Sequence, residues 1–354
     1  MAVTAMRIGE LVLTGGAVGS PAEQVVGIAA ALADQGAGLR DLCLLRAFYR
    51  VGDWEADALR AELAGVLSSA SGIALTLVPV ACAGVGGGGL SIEAAAVTAP
   101  RLATVGNGPF VQGLRQGRFL FLSGQSGAEN ASLAEESRSV MQALGQTLAR
   151  LGAGFGDVVR MNRWYHAEGT KEAWEPSARA TASFYTEPGP IATAISLPVA
   201  LPEGRSIQIE LMGMLGVDGR TLPKHHSWPE GLWDWPIHLP YKHGLACGGI
   251  GFVGGQVSLD ADARVIDPDH LDRQVRRSLG CIDRVAAGLG RVGRTLHLGV
   301  YYEVPEGGLA GADPGAAALR DLGEGAAPAV LVGFANLSYP QMRVEIEAMV
   351  ALDG

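Results

Sequence analysis

The chain is poor in charged residues, in aromatic residues and in long apolar runs. Only 18% of its 354 residues are charged, 6% are aromatic, and the net charge is −9. The 27 basic residues are scattered, which argues against a nucleic-acid partner, because such binding needs a basic stripe. No apolar run reaches the roughly 20 residues that span a bilayer. Residues 1–9 lack a basic segment followed by an apolar one, so we expect no secretory signal and no membrane partner.

Cysteine is also scarce, and its spacing excludes two common roles. The four cysteines form no CxxC pair and no zinc-type spacing with histidine. We therefore expect reduced, buried thiols, a cytoplasmic protein, and no metal or cofactor. His225 and His226 are adjacent, so their side chains should point apart, and no carboxylate is suitably spaced to share a metal with them.

Glycine and aliphatic residues are abundant instead. The chain has 51 glycines, well above the average of about 7%, and 48% of its residues are hydrophobic. The glycines fall at the ends of apolar runs and in turns rather than in a low-complexity tract. This composition predicts a globular protein with a sizeable core.

One order of elements occurs three times: strand, helix, strand, helix, strand, strand. In the clearest copy the first strand is Phe119-Leu120-Phe121-Leu122, which stops at Ser123-Gly124. Helical spacing follows over residues 133–151 and 171–185, with a strand at 157–165 between them. The copy closes with strands at 192–200 and 205–214, which we expect to pair with each other.

Weaker copies precede and follow this one. The first has strands at 11–14, 42–49, 73–80 and 90–94, with helices from Pro21 and, capped by Asp53, over 54–67. The third has strands at 250–253 and 296–302, helices at 270–289 and 314–322, and a last strand pair at 329–335 and 342–350. We therefore predict an internal triplication with boundaries at 1–98 (segment 1), 99–216 (segment 2) and 217–354 (segment 3). The beginning of segment 3, up to residue 240, contains Trp228, Trp233 and Trp235, and we call it the Trp-rich arm.

Segment 2 resembles the RidA (YjgF/YER057c/UK114) family of enamine and imine deaminases. The resemblance is carried by Gly108-Pro109-Phe110, by the strand and stop at 119–125, and by Ile207-Gln208-Ile209-Glu210. Segment 3 is similar through Pro240-Tyr241, residues 250–256 and Val344-Glu345-Ile346-Glu347, and segment 1 only in outline. RidA proteins are homotrimers with pockets between subunits. The resemblance thus implies an α+β fold of three chorismate-mutase-like β-β-α-β-β-type units, which form a monomeric pseudo-trimer around a central β-barrel-like core.

The resemblance also implies catalytic residues. The family's acid near the end of the chain, which helps to activate water, is retained as Glu93, Glu210 and Glu347. The pocket tyrosine corresponds to Phe110 in segment 2 and Tyr241 in segment 3. We expect the active pockets to combine Glu347 with Tyr241 and Glu210 with Ser123.

Other expected pocket residues bind substrate. In the family an arginine holds the substrate carboxylate, but the matching positions by sequence, Thr76, Ala192 and Val330, are not arginine. This absence argues for a specialised small-molecule substrate. Substrate-binding candidates are Ser123, Gly124, Phe110, Lys242, His243, Gly255 and Gln256. A surface Lys-His pair and simple tight turns would explain several of these residues equally well. The Trp-rich arm is either a lid over a pocket or a packing strap between segments.

We therefore expect an enzyme that adds water to, or eliminates from, an imine, an enamine or a related polarised double bond. Three alternatives stay open. Chorismatases are similar in their C-terminal unit, but Ser338 and Tyr339 stand where a cysteine and an arginine are expected. Ring-opening amidohydrolases of the cyanuric acid hydrolase type also have three repeats. They need a Ser and a Lys in each repeat, and we find no lysine that recurs in all three copies. The third alternative is a non-catalytic ligand-binding or scaffold protein.

Overall fold

A computed structural model describes residues 3–68, 70–129, 131–167, 170–235, 237–305, 307–309, 311 and 313–353, apart from the side chain of Lys171. The fold is α+β and contains three open sheets, none of which closes into a barrel. Within the described ranges no helix is both long and apolar enough to cross a membrane.

Segment 1 follows the predicted order, with one short additional strand before it and one within it. Its elements are β1 (Ala5–Ile8), β2 (Leu11–Thr14), α1 (Pro21–Asp34), β3 (Leu42–Arg50), α2 (Ala56–Val66), β4 (Ile73–Val80), β5 (Cys82–Ala83) and β6 (Leu90–Val97). Helix α1 begins at a capping box, in which Ser20 and Glu23 satisfy each other's backbone N–H groups. Helix α2 is preceded by Glu55 rather than by the predicted cap Asp53, which pairs with Arg50 instead.

Segment 2 has the same order after three short strands. Its elements are β7 (Arg101–Val105), β8 (Phe110–Val111), β9 (Gly113–Gln116), β10 (Phe119–Ser126), α3 (Leu133–Arg150), β11 (Val158–Tyr165), α4 (Lys171–Ala182), β12 (Ile191–Ser196) and β13 (Ile207–Met214). Helix α3 repeats the capping box of α1 with Ser132 and Glu135. Helix α4 ends three residues before the predicted limit, at Ala182.

Segment 3 repeats the order a third time. Its elements are β14 (Lys224–Ser227), β15 (Gly244–Cys247), β16 (Ile250–Val257), α5 (Leu271–Ala287), β17 (Val292–Glu303), α6 (Pro314–Gly323), β18 (Ala329–Phe334) and β19 (Val344–Leu352). Most of the Trp-rich arm is irregular, as predicted, but His225 and His226 lie in β14.

The strand orders are β1-β2-β6-β3-β4-β8, β12-β11-β13-β10-β9-β7 and β14-β15-β16-β19-β17-β18-β5. We call these sheets 1, 2 and 3. The expected pairing of the last two strands in segments 2 and 3 is wrong, because β11 lies between β12 and β13, and β17 lies between β18 and β19. The physical reason is that helices α4 and α6 form crossovers. Each crossover makes the strand after it, β12 or β18, a parallel neighbour of the strand before it.

Equivalent strands of the three sheets pair in the same register. Glu93 in β6 lies opposite Arg46 in β3, and Thr76 in β4 lies on the other side of Arg46. The equivalent triplets are Glu210, Asn162 and Thr193 in sheet 2, and Glu347, Gly299 and Val330 in sheet 3. The three copies can therefore be compared residue by residue.

Equivalent strand ends form the three seams between the sheets. The Gly124 N–H donates to Thr76 Oγ1 (2.9 Å) between sheets 1 and 2, and the Gly255 N–H donates to Thr193 Oγ1 (3.1 Å) between sheets 2 and 3. Between sheets 3 and 1 the Gly16 N–H donates to the Ala329 carbonyl (3.0 Å). Two short strands also cross the predicted boundaries, since β8 pairs with β4 and β5 pairs with β18.

Candidate active site

The three predicted glutamates meet at one arginine in the centre of the molecule. Arg46 is 1% exposed and forms ion pairs with Glu93 and Glu210, and its Nη1 lies 4.0 Å from Glu347 Oε1. Its Nε also donates to Glu210 Oε2 (3.2 Å). The shared register causes this convergence, because each glutamate occupies the same place on a strand that faces the common interior.

Glu347 has the largest set of partners in this cluster. Arg160 forms an ion pair with it, and Tyr301 donates to Oε1 at 2.5 Å. Oε2 accepts from Thr193 Oγ1 (2.7 Å) and from Asn162 Nδ2 (3.0 Å). Burial alone would raise the pKa of Glu347, but the two arginines outweigh it and hold the pKa below its usual value.

Glu93 is held in the same way. Burial opposes its charge, but Arg46 and the imidazole of His297, whose Nε2 lies 2.8 Å from Glu93 Oε2, bring its pKa down to about 2. A carboxylate that is stabilised so strongly is a poor general base. The central cluster can therefore join the three sheets, and the stabilised carboxylates of Glu93 and Glu347 are poorly suited to accept a proton from a substrate.

A second polar region lies beside this cluster, at the seam between sheets 2 and 3. Two adjoining cavities of about 40 and 30 Å³ share Ala192, Trp235 and Tyr241 in their walls. Five predicted site residues line this region: Tyr241, Lys242, His243, Gly255 and Gln256. The structure thus brings half of the predicted site together here, without Glu347.

Glu345 supplies the carboxyl group of this cavity. Its side chain lies directly against Gly255, where a Cβ atom would fall 1.9 Å from Glu345 Oε1. The side chain is buried, and Oε2 has no hydrogen-bond partner among the described residues. Burial, with a smaller contribution from the charge of Glu347, raises the pKa of Glu345 to about 8, against the opposing effect of a backbone N–H at Ala194. Glu345 is therefore mainly a neutral acid at pH 7.

Arg163 brings a buried cation to the same cavity. It is 3% exposed, donates to Ser177 Oγ at 2.6 Å, and forms no ion pair within the described part of the chain. Burial lowers its pKa, and its guanidinium lies 5.9 Å from the ring centre of Tyr165. A buried guanidinium without a carboxylate partner is suited to an anionic group of a ligand.

Tyrosine and serine hydroxyls complete the polar wall. Tyr165 donates to Ser338 Oγ at 3.0 Å, and Ser338 donates to the Ala194 carbonyl at 3.0 Å. Tyr241 donates to Thr181 Oγ1 at 3.3 Å rather than to Glu347, and burial raises its pKa. The predicted combination of Tyr241 with Glu347 is therefore replaced by proximity to Glu345.

The remaining predicted residues of this seam have defined partners. Burial lowers the pKa of His243 to about 4, so the ring is neutral at pH 7. Its Nε2 lies 2.8 Å from the Trp233 carbonyl and its Nδ1 lies 3.2 Å from Gln256 Nε2, which fixes Nε2 as the donor. Gln256 Oε1 is buried without a partner among the described residues. Lys242 pairs with Glu187 at the surface and lies 4.8 Å from the ring centre of Trp228.

The other predicted residues lie at the seam between sheets 1 and 2. Ser123 Oγ accepts from the Leu75 N–H (3.0 Å) and donates to the Val111 carbonyl, so its hydroxyl is already used by the protein. Gly124 donates to Thr76, and Phe110 lies in β8 beside β4. None of these contacts involves Glu210, which accepts from Arg46 instead.

The register changes one correspondence made from sequence. Thr193, not Ala192, is equivalent to Thr76 and Val330, so the position expected to hold arginine carries threonine, threonine and valine. Sequence reasoning missed Glu345 and Arg163. A signal existed for Glu345, because alternation along a strand places it on the same face as Glu347. The equivalent positions in the other sheets are Ser91 and Gln208.

The Trp-rich arm covers the cavity between sheets 2 and 3. Trp233 and Trp235 pack edge to face with ring centres 4.6 Å apart, and Trp235 stacks on Tyr339 at 5.7 Å. Trp235 also contacts Trp174 of α4, so the arm joins segments 2 and 3. His225 contacts the Gly288 carbonyl and His226 the Gly189 carbonyl, so the two rings contact different parts of the chain.

The chain is similar to one known sequence family and to several solved structures. Residues 101–214 match the sequence family described as Endoribonuclease L-PSP. A chorismatase crystal structure is similar over 88% of this chain and 93% of its own, with 16% identity and a TM-score of 0.59. Two shorter structures are Rv2704 of the YjgF/YER057c/UK114 family from Mycobacterium tuberculosis and RidA from the Antarctic bacterium Psychrobacter. They cover 33% of this chain and 100% and 94% of their own, with 16% and 22% identity and TM-scores of 0.30 and 0.28. No curated protein sequence matches the chain.

The fold is of the type seen in a chorismatase, with three sheets that share one order of four core strands. Within this fold, residues 101–214 match the Endoribonuclease L-PSP family, which confirms the resemblance predicted for segment 2.

Proposed function

We propose that the protein is a small-molecule enzyme of the hydrolase or lyase type, with its active site at Glu345 between sheets 2 and 3. The observation that carries the proposal is the buried Glu345 carboxyl, one oxygen of which has no hydrogen-bond partner among the described residues. It lines the same cavity as the guanidinium of Arg163, which forms no ion pair within that part of the chain. An acid whose pKa lies near 8 is protonated at neutral pH and can donate its proton to a substrate.

The chemistry we propose is the addition of water to a polarised double bond. For an enamine, Glu345 protonates the terminal carbon, which leaves an iminium ion and the Glu345 carboxylate. Water attacks the iminium carbon and returns a proton to Glu345. The carbinolamine then loses ammonia and forms a ketone, so one water is consumed and no electron acceptor is needed. Arg163 would bind an anionic group of the substrate. It would thus take the role of the arginine that is missing from the family's usual position.

The same steps apply to an enol ether, which would release an alcohol instead of ammonia. The fold likeness to a chorismatase and the buried cation of Arg163 favour this second candidate over ring-opening amidohydrolysis. A ring-opening reaction of the cyanuric acid hydrolase type needs a free serine hydroxyl, and that of Ser123 is engaged on both sides.

Substrate entry requires the Trp-rich arm to move. The cavities of about 40 and 30 Å³ hold roughly one water molecule each, which is too little for a substrate. We therefore propose that the arm acts as a lid, with Trp235 and Tyr241 displaced on binding. A lid of this kind would also exclude bulk water during the reaction.

The test compares Glu345→Gln with Glu210→Gln and Glu347→Gln. Substrates are an enamine acid generated in the assay and chorismate, and the readouts are ammonia and pyruvate release. Glu345→Gln should lower kcat by about 10²–10⁴-fold with the far-UV circular dichroism spectrum unchanged. Glu210→Gln, the matched change in sheet 2, should leave kcat per folded molecule within about threefold.

Loss of turnover in Glu347→Gln but not in Glu345→Gln would show that Glu347, and not Glu345, is the catalytic acid. Unchanged turnover in all three variants would overturn the acid mechanism. No turnover by the wild type on either substrate class, together with saturable binding of the same compounds, would favour the ligand-binding alternative.

We further propose that one chain forms the pseudo-trimer by itself, in the cytoplasm. Strand ends of different sheets already meet at the three seams within one chain, and the four cysteines are free and buried. Light scattering after size exclusion should therefore give the mass of one chain, 36.6 kDa. A mass near three chains would contradict the proposal.

A further inference from the structure

Helix α5 carries a stripe of arginines that the fold does not require. Arg273, Arg277 and Arg284 follow one face of the helix at spacings of four and seven residues, and Arg276 flanks them. All four are exposed. The equivalent helix α1 has no arginine, and α3 has only Arg138 and Arg150. The chain as a whole has a net charge of −9, so this stripe gathers four of its 27 basic residues on one helix of an acidic protein.

The stripe forms one wall of a cleft of about 620 Å³. Gly231, Leu232 and Trp233 of the arm also line the cleft, together with Leu259 and Asp267. Gly280 lies between Arg277 and Arg284, and apart from its chain neighbours and the helix backbone no described atom lies within 4 Å of the position that a Cβ atom would take. The helix surface is therefore open at this position between the two arginines.

Two of the arginines are held in the cleft without a carboxylate partner. Arg277 donates to the Leu259 carbonyl (3.3 Å) and Arg284 to the Glu230 carbonyl (2.7 Å). Neither forms an ion pair with any residue that the structure describes. Arg273 and Arg276 pair with Asp267 and Asp272 respectively. The carbonyl contacts orient Arg277 and Arg284, and their remaining N–H groups are available to an anion.

We propose that this cleft binds a small oligo-anion that carries two phosphate groups, either joined or separate. Arg277 and Arg284 are seven residues apart, about 10 Å along the helix axis, so each can hold one group by paired N–H bonds. The stripe ends after four arginines, and the acidic remainder of the chain repels a long polyanion. A bounded cleft and a short stripe fit a small molecule better than a nucleic acid.

The site is independent of the chemistry proposed at Glu345, although the two regions share a wall. Trp233 lines both the arginine cleft and the inner cavity, which is the cavity of about 30 Å³ between sheets 2 and 3. Its carbonyl also holds His243. A ligand in the cleft therefore contacts the arm that covers the inner cavity.

Calorimetric titration with inorganic pyrophosphate tests the site at constant ionic strength. Saturable binding is expected with Kd of about 100 µM or tighter. The double variant Arg277→Gln/Arg284→Gln should weaken it at least about 10-fold. The matched control is Arg138→Gln/Arg150→Gln, which removes two positive charges from the exposed face of α3 and should leave Kd within about twofold.

Three results would overturn the proposal. One is the absence of saturable binding of pyrophosphate and tripolyphosphate up to about 1 mM. Another is an equal loss of affinity in the two double variants, since that would reflect only net charge. The third is binding of a single-stranded oligonucleotide through Arg277 and Arg284 that is much tighter than binding of pyrophosphate, since that would assign the stripe to nucleic acid. Thermal unfolding of both double variants checks that each is folded.

Discussion

At the scale of single residues, two glutamates on one strand have opposite environments. Glu347 and Glu345 are two residues apart in β19, and both are buried. Glu347 contacts Arg160, Asn162 and Thr193, and its pKa is lowered. Glu345 forms no ion pair with a described residue, and burial raises its pKa. Carboxyls whose pKa values are separated in this way can take different roles, one holding the structure and one donating a proton.

The raised pKa of Glu345 predicts an unusual dependence of stability on pH. In the unfolded chain its carboxyl ionises near pH 4.5, whereas in the folded protein it ionises near pH 8. Between these values the folded state binds more protons, so ionisation in the unfolded state lowers stability as the pH rises, and the loss is complete above about pH 8. From pH 5 to pH 8, the wild type should lose on the order of a few kcal/mol relative to Glu345→Gln.

Urea unfolding at both pH values measures this difference. Glu62→Gln changes an exposed glutamate of α2 and should show the pH dependence of the wild type. The same pH dependence in Glu345→Gln as in the wild type would mean that the Glu345 carboxyl is ionised in the folded protein throughout this range. The proposed acid role would then fail.

At the scale of elements, local sequence was sufficient for most helices and strands. Capping boxes at Ser20 and Ser132 and the apolar spacing of α1, α3 and α5 are set by residues close together in the chain, so their limits could be predicted to within a few residues. The neighbours of β12 and β18 could not, because strand order depends on crossovers between distant parts of the chain. The two strands that cross between segments, β5 and β8, are only two residues long and gave no pattern.

The candidate site, too, could be predicted from the sequence only in part. The triplicated glutamate was visible in sequence, but its convergence on Arg46 required knowledge of how three sheets meet. Arg46 itself lies within an apolar run and was not singled out. Tyr241, His243, Gly255 and Gln256 were found through the family resemblance. Glu345 could have been found by asking which of the equivalent residues Ser91, Gln208 and Glu345 is an acid.

At the scale of the whole molecule, three similar seams have diverged. Each joins a glycine at a strand end to the neighbouring sheet. At the second seam the carboxyl of Glu345 and the guanidinium of Arg163 both line a cavity, whereas Gln208 at the first seam donates to the Leu77 carbonyl (3.0 Å). In the proposed pseudo-trimer this divergence follows from a single chain, because its interfaces are not forced to be identical.

The central cluster predicts that the sheets depend on one buried cation. Arg46→Met would leave Glu93 and Glu210 buried without their guanidinium partner, and breaking such a buried pair costs about 3–5 kcal/mol of unfolding free energy. Arg50→Met is the matched control on the same strand, because Arg50 pairs with Asp53 at the surface and should cost about 0–1 kcal/mol. Denaturant unfolding followed by tryptophan fluorescence measures both. Equal costs would show that the three glutamates are held by the strands themselves, and that Arg46 only neutralises a charge the fold tolerates.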